Sequence, residues 1–81
     1  MICRVKLFAR ARDLLQRDEV TITLSENATV GELRRALGEE YPSLRGLLEH
    51  SALAVDNSFV EENDPVNEGA EIALLPPVSG G

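Results

Sequence analysis

The chain closes with Pro76-Pro77-Val78-Ser79-Gly80-Gly81, the stretch whose residue types best suit covalent chemistry. Two successive prolines cannot continue a hydrogen-bonded ladder and favour an extended backbone, so residues 76–81 are predicted to leave the fold as a tail. Six extended residues reach at most about 20 Å, enough to thread a neighbouring protein's active site. Gly80 and Gly81 have no Cβ, so this end can enter a channel too narrow for side chains. With Gly81 as the chemical end, the reactive group would be its carboxylate. A free carboxylate is inert toward nucleophiles; coupled to a nucleotide as an acyl-adenylate by an activating enzyme, it can be attacked by sulfur to give a thiocarboxylate. Such chemistry asks for a slim terminal glycine and no catalytic side chain on this chain. A bare Gly-Gly would also fit a frayed terminus or a linker remnant. A strand followed by Pro-Pro-Val-Ser is not what a linker remnant ordinarily carries.

No other constellation competes. The sequence has no Ser-His-Asp arrangement, HExxH, P-loop or GxGxxG, and no paired metal ligands. Glu39-Glu40 and Glu61-Glu62 read as solvated charge rather than acid/base pairs. Cys3 is the only cysteine, which excludes an internal disulfide and suits a reducing, cytoplasmic setting. It lies within an apolar run, where a buried small hydrophobe is the expected role. His50 is expected at the surface near a helix end. Fourteen acidic against eight basic residues give a net charge of -6, and the basic residues are scattered, so nucleic acid is not an expected partner. No apolar run approaches the ~18 to 20 residues of a membrane span.

The elements that must position the tail follow from the pattern. With 81 residues the chain suits one domain, taken as residues 1–75 with the tail beyond it. Ile2 to Phe8 alternates, with Cys3, Val5 and Leu7 inward, and Glu19 to Leu24 alternates with Val20, Ile22 and Leu24 inward. Between them Ala9 to Leu15 reads as one irregular helical turn. Thr29-Val30-Gly31-Glu32 matches a capping box, opening a helix from Val30 to Glu40 with Val30, Leu33, Ala36 and Leu37 on one face. Tyr41-Pro42 ends it. Ser43 to Glu49 can add a short helix. Ala52–Val55, Ser58–Val60 and Glu71–Leu75 read as strands, with turns at Asp56-Asn57 and Asn67–Ala70. This order predicts an α+β, ubiquitin-like β-grasp fold, a mixed sheet packed on one main helix. One sheet face stays uncovered. Phe8, Phe59 and Leu75 point to it by alternation, either as isolated exposed residues or as a patch that a partner covers.

The sequence resembles the small subunits of molybdopterin synthase, the sulfur carriers of molybdenum cofactor synthesis. The matching segments are Leu7-Phe8-Ala9-Arg10-Ala11-Arg12-Asp13-Leu14 and Glu68 through Pro76-Pro77-Val78-Ser79-Gly80-Gly81. The resemblance implies that Gly81 is adenylated by an E1-like activating enzyme that consumes ATP, and is then converted to a thiocarboxylate. It implies no permanently bound cofactor. The tail from Pro76 to Gly80 would insert into the synthase large subunit, where two carriers convert cyclic pyranopterin monophosphate into a dithiolene within a heterotetramer. The groups that release sulfur would belong to the large subunit. Phe8, Phe59 and Leu75 match positions that contact both partners, with Leu75 standing where an aromatic is common. Three alternatives stay open: a sulfur carrier of the thiamine or tRNA-thiolation type, a ubiquitin-like modifier joined to lysines through Gly81, and an interaction domain with an inert tail.

Overall fold

The computed structural model describes residues 1–76; the expectations for Pro77, Val78, Ser79, Gly80 and Gly81 lie outside the described residues. The elements run β1 (Ile2–Leu7), α1 (Ala9–Leu15), β2 (Glu19–Thr23), α2 (Val30–Glu40), a 3-10 turn (Pro42–Leu44), α3 (Arg45–Leu48), β3 (Ala52–Val55), β4 (Ser58–Phe59) and β5 (Ile72–Leu75). The strands form one five-stranded sheet in the order β2-β1-β5-β3-β4. β1 is antiparallel to β2 and parallel to β5, and β5 is antiparallel to β3.

Strand phase follows the sequence pattern. Cys3, Val5 and Leu7 from β1, Val20 and Ile22 from β2, Leu53 from β3 and Ile72 and Leu74 from β5 are all buried beneath the helices. From α2 the buried side chains are Val30, Leu33 and Leu37, with Ala36 partly buried beside them. Each large side chain of this set withdrawn from water contributes about 1.5–3 kcal/mol before the entropy of ordering is subtracted. Leu44 and Leu48 close the end of the core.

Several boundaries differ from the sequence expectation: β2 ends at Thr23 rather than Leu24, β4 at Phe59 rather than Val60, β5 starts at Ile72 rather than Glu71, and α3 spans Arg45–Leu48 rather than Ser43 to Glu49. β1 stops at Leu7, because Phe8 is the extended residue that caps α1 and the backbone then reverses at Ala9 with φ 48°. The link between the first strands is a seven-residue helix rather than a single irregular turn, held by burial of Ala11 and ended by Gln16 in a left-handed conformation.

The start of α2 is tied down twice. Thr29 and Glu32 form the capping box, the Thr29 hydroxyl accepting from the Glu32 amide at 3.3 Å and the Glu32 carboxylate from the Thr29 amide at 3.2 Å. The next free amides are satisfied from outside the helix: Val30 donates to the Asp64 carbonyl and Gly31 to the Glu62 carbonyl, both at 2.9 Å. A Cβ on Gly31 would come within 3.1 Å of the Glu62 carboxylate, so the residue is small where two backbones meet. Glu62 was expected to be only solvated charge. Although exposed, it also accepts from Arg34 Nε at 2.8 Å and joins the 60–65 loop to the helix. Glu39, Glu40, Glu61 and His50 are exposed as expected.

Asp56 and Asn57 turn β3 into β4 with φ of 51° and 68°, the paired left-handed angles of a tight hairpin that Asp and Asn tolerate. Asp56 and Glu71 exchange hydrogen bonds across the neighbouring strand, Asp56 N to Glu71 O at 2.8 Å and Glu71 N to Asp56 Oδ1 at 3.0 Å.

Candidate functional site

The uncovered face of the sheet follows from strand register. Phe59 on β4 lies opposite Ala54 on β3, Ala54 lies opposite Ala73 on β5, and Ala73 lies beside Lys6 on β1. One step further along, Ala52 lies opposite Leu75. Directly opposed residues share a face, so Phe59, Ala54, Ala73, Ala52 and Leu75 all belong to the face turned from the helices. Across β5, β3 and β4 this face is therefore an alanine floor with Phe59 at one margin and Leu75 at the other.

The three apolar residues predicted for this face are not equally presented. Phe59 is 73% exposed and Phe8 43%, while Leu75 is half-buried. Phe8 and Leu75 come together: both line a shallow crevice with Leu47, Leu74 and Pro76 at the end of β5. Phe59 stands apart on the edge strand. The three residues therefore do not form one compact patch: two meet where β5 ends and the third lies at the β4 edge. Pro76 is exposed and lies beyond the last ladder residue.

The alanine floor was not singled out in the sequence, although Ala52-Leu53-Ala54-Val55 carries its signal: small residues alternate with large ones, so the helix-facing side is filled and the other is left flat. Ile2, 68% exposed at the far end of β1, was also missed. The β1–β2 half of the same face is charged instead. Lys6 Nζ is 2.7 Å from Glu71 Oε1, and this bond followed by the carboxylate's charge raises the lysine pKa. Arg4 and Glu19 are its exposed neighbours.

Nothing else among the described residues offers a reaction centre. No group of His, Cys, Asp or Glu is placed to hold a metal ion. Cys3 is buried, and desolvation pushes its thiol up from the ordinary range, partly opposed by the nearby amino terminus and reinforced by Glu68. A thiol kept protonated is a poor nucleophile. No helix is long and apolar enough to cross a membrane.

Solved structures share the whole architecture. Small archaeal modifier protein 1 of Haloferax volcanii superposes with a TM-score of 0.84 at 26% identity over 95% of this chain and 98% of that one. A putative molybdopterin converting factor subunit 1 of Pyrococcus furiosus gives 0.85 at 26% identity over 96% and 99%. In a complex of subunits 1 and 2 of the molybdopterin-converting factor from Helicobacter pylori, a matching chain gives 0.69 at 29% identity over the full length of both. Fold and open apolar face together define a ubiquitin-like β-grasp protein.

Within that class the sequence is more specific. The model of the ThiS family matches residues 5–81, and the chain belongs to that family. Its relatives include the molybdopterin synthase sulfur carrier subunits of Dictyostelium discoideum, 35% identical over 96% of this chain and 94% of that one, and of Caenorhabditis briggsae, 34% identical over 96% and 95%.

Proposed function

We propose that this protein is the sulfur-carrier small subunit of a molybdopterin synthase. The observation that carries the proposal is the junction of Phe8, Leu75 and Pro76. An apolar crevice and an alanine-floored sheet face lie where β5 releases the chain toward Gly80-Gly81, so one docking event can fix the body of the protein and aim its end. Full-length similarity to sulfur carrier subunits supports the same reading.

In this reading the Gly81 carboxylate attacks the α-phosphate of ATP on an E1-like activating enzyme, and pyrophosphate leaves. Hydrosulfide then attacks the acyl carbon and displaces AMP, leaving a thiocarboxylate on Gly81. The tail from Pro76 to Gly80 enters the large subunit, which supplies the groups that cleave the C–S bond, and two charged carriers provide the two sulfurs of the dithiolene. Water takes the place of the departing sulfur, so the carboxylate returns for another cycle. The charged residues of β1 on this face, Arg4 and Lys6, fix orientation, while Phe8, Leu75 and Phe59 supply the buried area. Similarity to a subunit seen in complex with its partner supports a heteromeric assembly.

The test is the intact mass of the protein after incubation with ATP, an E1-like activating enzyme and a sulfur source. The expected result is a gain equal to exchange of one oxygen for sulfur, absent when Gly81 is deleted. An unchanged mass with a competent activating enzyme overturns the proposal. Similarity to small archaeal modifier protein 1 favours a second reading, a modifier joined through Gly81 to lysines. A ladder of isopeptide-linked products, lost on deleting Gly81, would identify it.

A further inference from the structure

The opposite margin of the sheet carries a feature that sulfur transfer does not use. β2 is an edge strand. Leu7 N donates to Asp18 O and Leu24 N to Met1 O, both at 2.8 Å, so the backbone groups of alternate residues Asp18, Val20, Ile22 and Leu24 turn toward β1. Those of Glu19, Thr21 and Thr23 therefore turn outward. The Thr21 carbonyl accepts from the Tyr41 hydroxyl at 3.2 Å, and the other outward groups have no partner among the described residues.

This edge borders a groove of about 520 Å³ between β2 and the last turns of α2. Ile22 and Ala36 line it with small apolar surface, Tyr41 reaches to Thr21 in the middle of β2, and Glu39 and Glu40 are its charged residues. Both carboxylates are exposed, as is Glu19 on the strand itself. No basic side chain lines the groove, in a chain whose net charge is -6.

We propose that the β2–α2 groove docks an extended, basic segment of a partner protein, which adds a sixth strand antiparallel or parallel to β2 and sets Lys or Arg side chains against Glu39 and Glu40. A strand edge whose outward groups are free apart from the Thr21 carbonyl, held by Tyr41, selects an extended backbone, because only that geometry meets the outward amides of Glu19, Thr21 and Thr23 in series. Charge selects the side chains. A second copy of this chain is the wrong occupant, since it would set another chain of net charge -6 against the groove's Glu39 and Glu40. β2 and β4 are opposite edges of the sheet, so such a partner would leave Phe59 free and could ride on the carrier during sulfur transfer.

The probe is a blocked hexapeptide of alternating lysine and valine, titrated into the full-length protein and followed by amide NMR shifts and hydrogen exchange. The expected result is saturable shifts centred on residues 19–23 and 36–41, at least tenfold slower exchange of the Glu19, Thr21 and Thr23 amides, and no comparable response to a glutamate–valine peptide. The double variant E39K/E40K, on exposed positions, is expected to keep its thermal midpoint and bind the lysine peptide at least tenfold more weakly. Thr21→Pro, which removes an outward N–H, should abolish the exchange protection. Shifts spread over the surface, equal affinity in E39K/E40K, or concentration-dependent shifts of the same amides without peptide would each overturn the proposal.

Discussion

Leu7 lies beside Leu74 in the parallel β1–β5 ladder, and that register carries Phe8, one residue on, to the rim where β5 ends at Leu75. Both leucines are buried, so the pairing is held by the core while its consequence appears at the surface. A slip of one residue would exchange the two faces of β5, placing Leu75 in the core and Leu74 on the uncovered face.

The interface residues should separate by stability. Phe59→Asp removes a side chain that is 73% exposed and should change unfolding free energy by less than about 0.5 kcal/mol while weakening the large-subunit complex at least tenfold. Phe8→Asp should weaken the same complex but also cost about 1 kcal/mol, because Phe8 shares its crevice with Leu47 and Leu74. Urea melts beside calorimetric titration with the large subunit check both. A Phe59→Asp variant that binds normally would remove β4 from the interface.

Adding one alanine after Gly81 should abolish sulfur transfer and leave the melting midpoint unchanged. In the proposed reading the added methyl and displaced carboxylate alter only the end that enters the partner, and the last described strand ends at Leu75. Retained turnover in a reconstituted synthase assay would contradict a terminal thiocarboxylate.

Arg34 is a better target than any surface ion pair. Its guanidinium donates to the Leu48 and Ser51 carbonyls and to Glu62, joining α2, the end of α3, the approach to β3 and the 60–65 loop. Arg34→Met leaves two carbonyls without this donor and should cost roughly 1–3 kcal/mol by chemical denaturation. Arg34→Lys should recover less than half, since one ammonium cannot reproduce the planar fork. Lys6→Met, by contrast, removes an exposed bond to Glu71 and should leave the midpoint nearly unchanged.

Alkaline pH should destabilise the protein through Cys3. Burial raises the thiol pKa above 9.0 in the folded state, so folding favours the protonated form. That contribution is fully present below the unfolded pKa and is lost as pH rises through the folded one. The thermal midpoint should therefore fall above about pH 9, and Cys3→Ala should flatten the fall. Lys6 acts with the same sign, but its exposed bond to Glu71 contributes little, so the fall is assigned to Cys3. Iodoacetamide labelling of native protein at neutral pH should be slow; rapid labelling would contradict a buried, protonated thiol.

Local pattern determined much of this protein. Alternation in β1 and β2, the Thr29–Glu32 capping box and the Tyr41-Pro42 stop each rest on contacts within a few residues, and each appears where the sequence places it. The chemistry proposed for Gly81 likewise rests on the tail's residue types and on no contact of the fold. Tertiary structure decided what depends on distant segments meeting. It made Glu62 a tether by setting it against Arg34, gathered Ala52, Ala54 and Ala73 into a floor through two strand registers, joined Phe8 to Leu75 while leaving Phe59 at the edge, and opened the groove beside β2. The physical reason is that alternation tells which way a side chain points from its own strand, but only the pairing of strands far apart in sequence tells which side chains stand next to it.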